Sequence, residues 1–337
     1  MKSPEKIFMI CFLVCIMCIP ARAANRYRPS SADALVVISQ KQLRSDIEFL
    51  SDSLCDGRSC TQRGGSEAAM WTARRFRRLG LVPFDGHYGW GFDAQGHRCH
   101  NIIGMLPVDR SYDNAGYIIV GAHYDNIGRL DGKLYPGADS NASGMAAMLS
   151  IADLFRYVRS GGGKVRQNII FVAFDAKQLS LAGSYAMMDL IEEGKLTDPY
   201  SGKTIRKEDI TVMVNLDILG STASPIHKEN PNYLLMLGGK TEHNNLLRTA
   251  SYRFDSLFDL AYDYYGSDGF TDMFLNRVSD QRAFREHGVY SVLFTSGITM
   301  NINRTTDTIE TLDLAVLKNR ICLISRWIDK VMNMTAN

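Results

Sequence analysis

Tyr117-Ile118-Ile119-Val120-Gly121-Ala122-His123-Tyr124-Asp125 reads as a buried strand that runs into a polar end. Residues 117–120 are apolar without the alternation of a half-solvated strand, which fits a strand covered on both faces. His123 and Asp125 follow it, and residues two apart share a face of an extended chain. Residues 169–174, 212–216, 233–237 and 290–294 have the same near-continuous apolar character. Between them, Met145, Met148, Ile151, Ala152 and Phe155 recur at helical spacing, as do Leu317, Ile321, Ile324, Ile328 and Val331. Strands alternating with helices predict an α/β fold, a three-layer α/β/α sandwich around a mixed, mostly parallel sheet. Sites in such sheets gather at the carboxyl ends of the strands.

Several polar segments fall at or near those ends. They are Gly121-Ala122-His123-Tyr124-Asp125, Pro136-Gly137-Ala138-Asp139-Ser140-Asn141, Phe174-Asp175-Ala176-Lys177-Gln178, Asn215-Leu216-Asp217 and Asn303-Arg304-Thr305-Thr306-Asp307. Taken singly, each has an ordinary reading. A His-x-Asp pair is commonly hydrogen-bonded at a surface. Asp139 leads into a helix, where an N-cap is its usual role. Asp217 ends a buried strand, where an unpaired carboxylate is costly and calls for a cation or hydrogen-bond donors. A functional alternative exists for the first pair, since an imidazole can bind zinc through one nitrogen while a carboxylate such as Asp125 fixes the other.

At the amino terminus Lys2 and Lys6 precede an apolar run over residues 7–19 and then Ala21-Arg22-Ala23, the order of a secretory signal peptide, with cleavage expected after Ala23. The apolar run is short for a bilayer span, and no later stretch approaches that length. Residues 24–337 are expected to form one large domain, with no repeat or linker dividing them. Losing Lys2, Lys6, Arg22 and Glu5 leaves the mature chain formally neutral. That balance points away from nucleic acid and anionic membrane surfaces, and the chain is expected in the periplasm or the secreted fraction. Cys55, Cys60, Cys99 and Cys322 remain after cleavage, and export would permit disulfides among them. Cys55 and Cys60 flank a turn-rich loop that could close a small ring, whereas Cys322 lies on an apolar helix and reads as a buried thiol.

In combination the segments are far more specific. From about Leu43 to Val331 the chain resembles the co-catalytic zinc aminopeptidases, the family of bacterial leucyl aminopeptidases that also contains glutaminyl cyclases and the transferrin receptor ectodomain. Leu54-Cys55-Asp56-Gly57-Arg58, Ser184 after Ala182-Gly183, and Ser279-Asp280-Gln281 contribute to the likeness. The resemblance implies that His123 and Asp217 hold one zinc, that Asp139 bridges to a second, and that Asp125 orients His123. It also places Gln178 and Asn303 where the second zinc needs glutamate and histidine, and Lys177 where the general base should be glutamate. Carboxamides are weak zinc ligands, and an ammonium has no lone pair to take a proton from water. At most one zinc is therefore expected, or none.

Two glutamates fewer and one lysine more add three positive charges, roughly offsetting the two lost with an absent zinc ion. Lys177 is expected to stand in for that ion with its ammonium facing Asp139, the other arrangement being a solvent-facing side chain. The resembling enzymes follow the bridging aspartate with a cis peptide, expected here between Asp139 and Ser140. The leading functional expectation is a secreted family member, catalytically impaired or inactive, that binds peptide, glycan or protein ligands. The alternatives are a one-zinc aminopeptidase and, with less support, a glutaminyl cyclase. Ligand choice would lie with loops such as residues 255–274, where Tyr262, Tyr264, Tyr265 and Phe270 could stack on a ligand or pack a lid.

Overall fold

The computed structural model describes residues 29–30, 35–108, 115–222, 230–252 and 258–334. The expected signal peptide lies outside these residues. In chain order the principal elements are α1 (Gln40–Ser51), α2 (Arg63–Arg78), β1 (Val82–Pro83), β2 (Gly89–Ala94), β3 (His97–Leu106) and β4 (Tyr117–His123). A small hairpin of β5 (Gly128–Leu130) and β6 (Lys133–Tyr135) follows, then α3 (Ser143–Ser160), β7 (Asn168–Phe174), α4 (Ala182–Glu192), β8 (Ile210–Leu216) and β9 (Tyr233–Leu237). The remainder comprises α5 (Thr241–Ser251), β10 (Asp259–Ala261), α6 (Asp268–Asn276), α7 (Gln281–Glu286), β11 (Ser291–Thr295) and α8 (Leu314–Met334).

The strands form one mixed sheet in the order β1-β3-β7-β4-β8-β11-β9-β10, with β2 paired to β3. At its centre β7, β4, β8 and β11 run parallel. Their apolar runs are continuous because both faces are covered, as the sequence implies. Ile118, Val120 and Ala122 of β4 face one core, shared with α1, α2, α3, α5 and α8. Tyr117 and Ile119 face the other, shared with α4 and α7. This is the expected three-layer sandwich. Gly121 is required within β4, since a Cβ there would lie 2.4 Å from the Phe174 ring of the neighbouring strand.

The five strands read from the sequence are present. The β2–β3 hairpin was not among them, although its signal exists: Gln95 and Gly96 make a two-residue turn with both φ values positive, at 53° and 81°. No helix among the described residues is long and apolar enough to cross a membrane.

Candidate functional site

The carboxyl ends of β4, β7 and β8 bring His123, Lys177 and Asp217 together. His123 is the last residue of β4 and fully buried. Its Nδ1 lies 3.0 Å from the Asp125 carbonyl oxygen and 3.5 Å from Asp125 Oδ1, so Asp125 orients the ring largely through its backbone. Its Nε2 lies 3.3 Å from Asp217 Oδ1. Lys177, three residues beyond β7, reaches back to both. Its Nζ donates to Asp217 Oδ2 at 2.8 Å and lies 3.0 Å from His123 Nε2, a hydrogen bond when the ring is neutral, because an ammonium has donors only.

Lys177 therefore faces Asp217 and His123, which corrects the expectation that its ammonium faces Asp139. The physical reason is that Asp139 is already satisfied. Asp139 Oδ1 accepts from the Gly220 N–H at 2.7 Å and the Ser143 hydroxyl at 2.8 Å, and Oδ2 accepts from the Ser221 N–H at 3.1 Å. Held by these three donors, Asp139 does not join His123 and Asp217. Among the described residues, no three or more His, Cys, Asp or Glu side chains group where they could hold a metal ion. The cis peptide also sits one residue later than expected, between Ser140 and Asn141. Gln178 and Asn303 are exposed, and the Gln178 N–H donates to Asp125 Oδ2 at 3.1 Å.

Burial alone would push the Asp217 carboxyl up, but the Lys177 ammonium beside it, with the His123 ring next to it, holds it well below the usual carboxylate range. Burial pulls Lys177 down, and Asp217 and Asp280 outweigh it and raise its pKa, so the side chain stays an ammonium. Ser279, which the sequence singled out without a role, donates its hydroxyl to Asp217 Oδ2 at 2.6 Å. Asn215 Nδ2 in turn donates to Ser279 Oγ and Gln281 Oε1, each at 2.8 Å. Gln281 Nε2 bonds the Phe274 carbonyl at 2.6 Å, which ties the site to the end of α6.

Backbone strain flanks these groups. Ala176 before Lys177, Ile218 after Asp217 and Asn303 have φ of 55°, 62° and 59°. Positive φ is uncommon for non-glycine residues and strained for a β-branched one, and such residues cluster at functional sites.

Three nearby carboxyls are held high, by burial first. Asp175 rises to about 7 with help from the Asp125 charge, Asp307 to about 7 with help from Asp139, and Asp280 to about 6. Each lies above the value of about 3.9 expected in an unfolded chain. Their contribution to stability is therefore complete below about pH 4 and lost as pH rises through 6 to 7. Asp217 acts oppositely, its contribution being lost only as pH falls below about 4. The urea midpoint is thus expected to be higher at pH 5 than at pH 8. An equal or higher midpoint at pH 8 would contradict this reading.

Residues 101–328 match the family model of peptidase family M28. The chain belongs to that family. This M28 chain is 29% identical over 160 residues to the aminopeptidase YwaD of Bacillus subtilis (strain 168), a match that covers 47% of the chain and 30% of YwaD. It thus spans under a third of that relative's length. Among solved structures, a zinc aminopeptidase from Bacillus subtilis superposes with a TM-score of 0.64 at 16% identity, covering 90% of this chain and 96% of that one. A glutaminyl cyclase from Macrostomum lignano gives 0.65 at 16% identity, covering 93% and 96%. At such identities the likeness speaks for the M28 fold alone.

Proposed function

We propose that this M28 chain is an exported, zinc-free member of its family, without peptidase activity, that binds peptide or protein ligands at the carboxyl edge of its sheet. One observation carries the reading. The Lys177 ammonium engages His123 Nε2 and Asp217 Oδ2 at 3.0 and 2.8 Å, the lone pairs that a first zinc would need. A divalent ion about 4 Å from an ammonium, at an effective dielectric of about 20, is repelled by about 8 kcal/mol. Asp139 is instead held by Gly220, Ser221 and Ser143, and among the described residues it forms no group of three metal-ligating side chains with His123 and Asp217. The residues present therefore do not fit the metal, and no proton acceptor occupies the position of the base.

Support for a ligand surface comes from the apolar residues that remain exposed beside the site. Phe270 and Ile298 are both exposed, and Tyr264 links them, its ring 5.5 Å from Phe270 and its hydroxyl accepting the Ile298 N–H at 3.0 Å. Met300 lies on the same loop as Asn303 and is exposed as well. Such a surface suits an apolar peptide side chain.

A one-zinc aminopeptidase is the second reading. It draws on the 3.3 Å between His123 Nε2 and Asp217 Oδ1, two ligands that could share an ion if Lys177 withdrew. Metal analysis of dialysed, purified protein separates the two. Zinc well below one ion per chain is expected, whereas one stoichiometric ion would establish the second reading.

A further inference from the structure

Cys60 and Cys99 come from distant parts of the sequence, one in the turn before α2 and the other on β3. In the fold the two thiols lie close enough to perturb one another's ionisation. They share a small apolar cluster with Ala94 and Ala176, with Phe92, Leu179 and Ala182 packed around it. Cys99 is buried at 1% exposure, and Cys60 is partly exposed. Cys55 and Cys322 pack instead into the large core on the other face of the sheet. The close sequence spacing that favoured a Cys55–Cys60 ring is therefore overridden by the fold, which turns Cys60 away towards β3.

We propose that Cys60 and Cys99 are a disulfide-forming pair, oxidised by exchange with a disulfide donor such as oxidised glutathione or a thiol-disulfide oxidoreductase. In the first step the Cys60 thiolate attacks one donor sulfur, forming a mixed disulfide and expelling one donor thiolate. The Cys99 thiolate then attacks Cys60 Sγ, closing the intramolecular bond and expelling the second. Two protein thiols lose two protons and two electrons, and the donor disulfide is reduced to two thiols.

Burial raises both thiols, that of Cys99 to about 11, with the Asp175 and Asp125 charges adding to the shift. Thiolates are scarce at neutral pH as a result, so exchange is slow in either direction and the bond behaves as a structural link. Its position gives it leverage on the site. Ala176 of the same cluster immediately precedes Lys177, and the His100 N–H beside Cys99 donates to Asp175 Oδ2 at 3.0 Å. On the other side, Gln62, two residues after Cys60, exchanges two hydrogen bonds with the Arg129 backbone. The bond would pin this loop and β3 together beneath the Lys177 segment.

The test is a peptide map of the full mature chain after incubation with oxidised glutathione, with free thiols alkylated before proteolysis. A Cys60–Cys99 linked peptide is expected, with Cys55 and Cys322 alkylated. Four alkylated cysteines, or a link that includes Cys55 or Cys322, would overturn the proposal. Reduction should lower the Tm by about 5–10 °C. Cys60→Ser, at the partly exposed position, should abolish that difference, while Cys55→Ala should keep it. A Cys60→Ser variant that still shows the reduction-dependent shift would count against the pair.

Discussion

Purified protein supplied with zinc is expected to hydrolyse aminoacyl chromogenic substrates no faster than a buffer control, and Lys177→Glu is expected to gain zinc affinity by at least about 100-fold. Hydrolysis by a metallopeptidase needs an ion to activate water and a group to accept its proton, and a positioned general base alone contributes about 10²–10⁴-fold. Lys177, which the family resemblance puts in place of that base, is an ammonium whose pKa is raised by Asp217 and Asp280 against the effect of burial. That ammonium also fills the coordination space between His123 and Asp217. Lys177→Glu removes the repulsion and supplies a carboxylate beside His123 and Asp217, so metal uptake should be the first property to appear. Turnover should require Gln178→Glu and Asn303→His in addition, because those exposed carboxamides offer little to a second ion. Robust turnover by the wild-type chain, abolished by a chelator, would refute the inactive reading. Unchanged zinc affinity in Lys177→Glu would refute the proposed role of Lys177 in excluding the ion.

The parts of this site that were legible in the sequence are those fixed by local pattern. The apolar run before His123 gave the strand, its carboxyl end and the covered faces, because period and burial are written within a few residues. The charge balance around Lys177 was also legible, since it needs only residue types. Its partner was not. Whether Lys177 meets Asp139 or Asp217 depends on the backbone N–H groups of Gly220 and Ser221, about 80 residues beyond Asp139, which claim the Asp139 carboxylate first. The pairing of Cys60 with Cys99 has the same character: the strand that carries Cys99 was not read, so its neighbour across the fold could not be. Ser279 stood out in the sequence only as part of a resembling motif, and its bond to Asp217 supplied the reason.

Lys177→Met is expected to destabilise the fold by about 3–5 kcal/mol, because it leaves the Asp217 carboxylate buried without its cation. The pair is well shielded, with side-chain exposures of 14% for Lys177 and 6% for Asp217, so water cannot readily replace the ammonium. The Ser279 hydroxyl and the His123 ring remain beside Asp217 and soften the loss without cancelling the charge. If neutralisation is the role of Lys177, removing the charge from both partners should recover most of the stability. The double variant Lys177→Met with Asp217→Asn is accordingly expected to be more stable than Lys177→Met alone, with a coupling energy of about 1–3 kcal/mol in a double-mutant cycle read by urea unfolding. A side chain merely resting on the surface of the site would give additive changes instead. Additivity, or a Lys177→Met variant as stable as the wild type, would mean that the ammonium does not hold this site together and that His123 and Asp217 keep their geometry for some other cation.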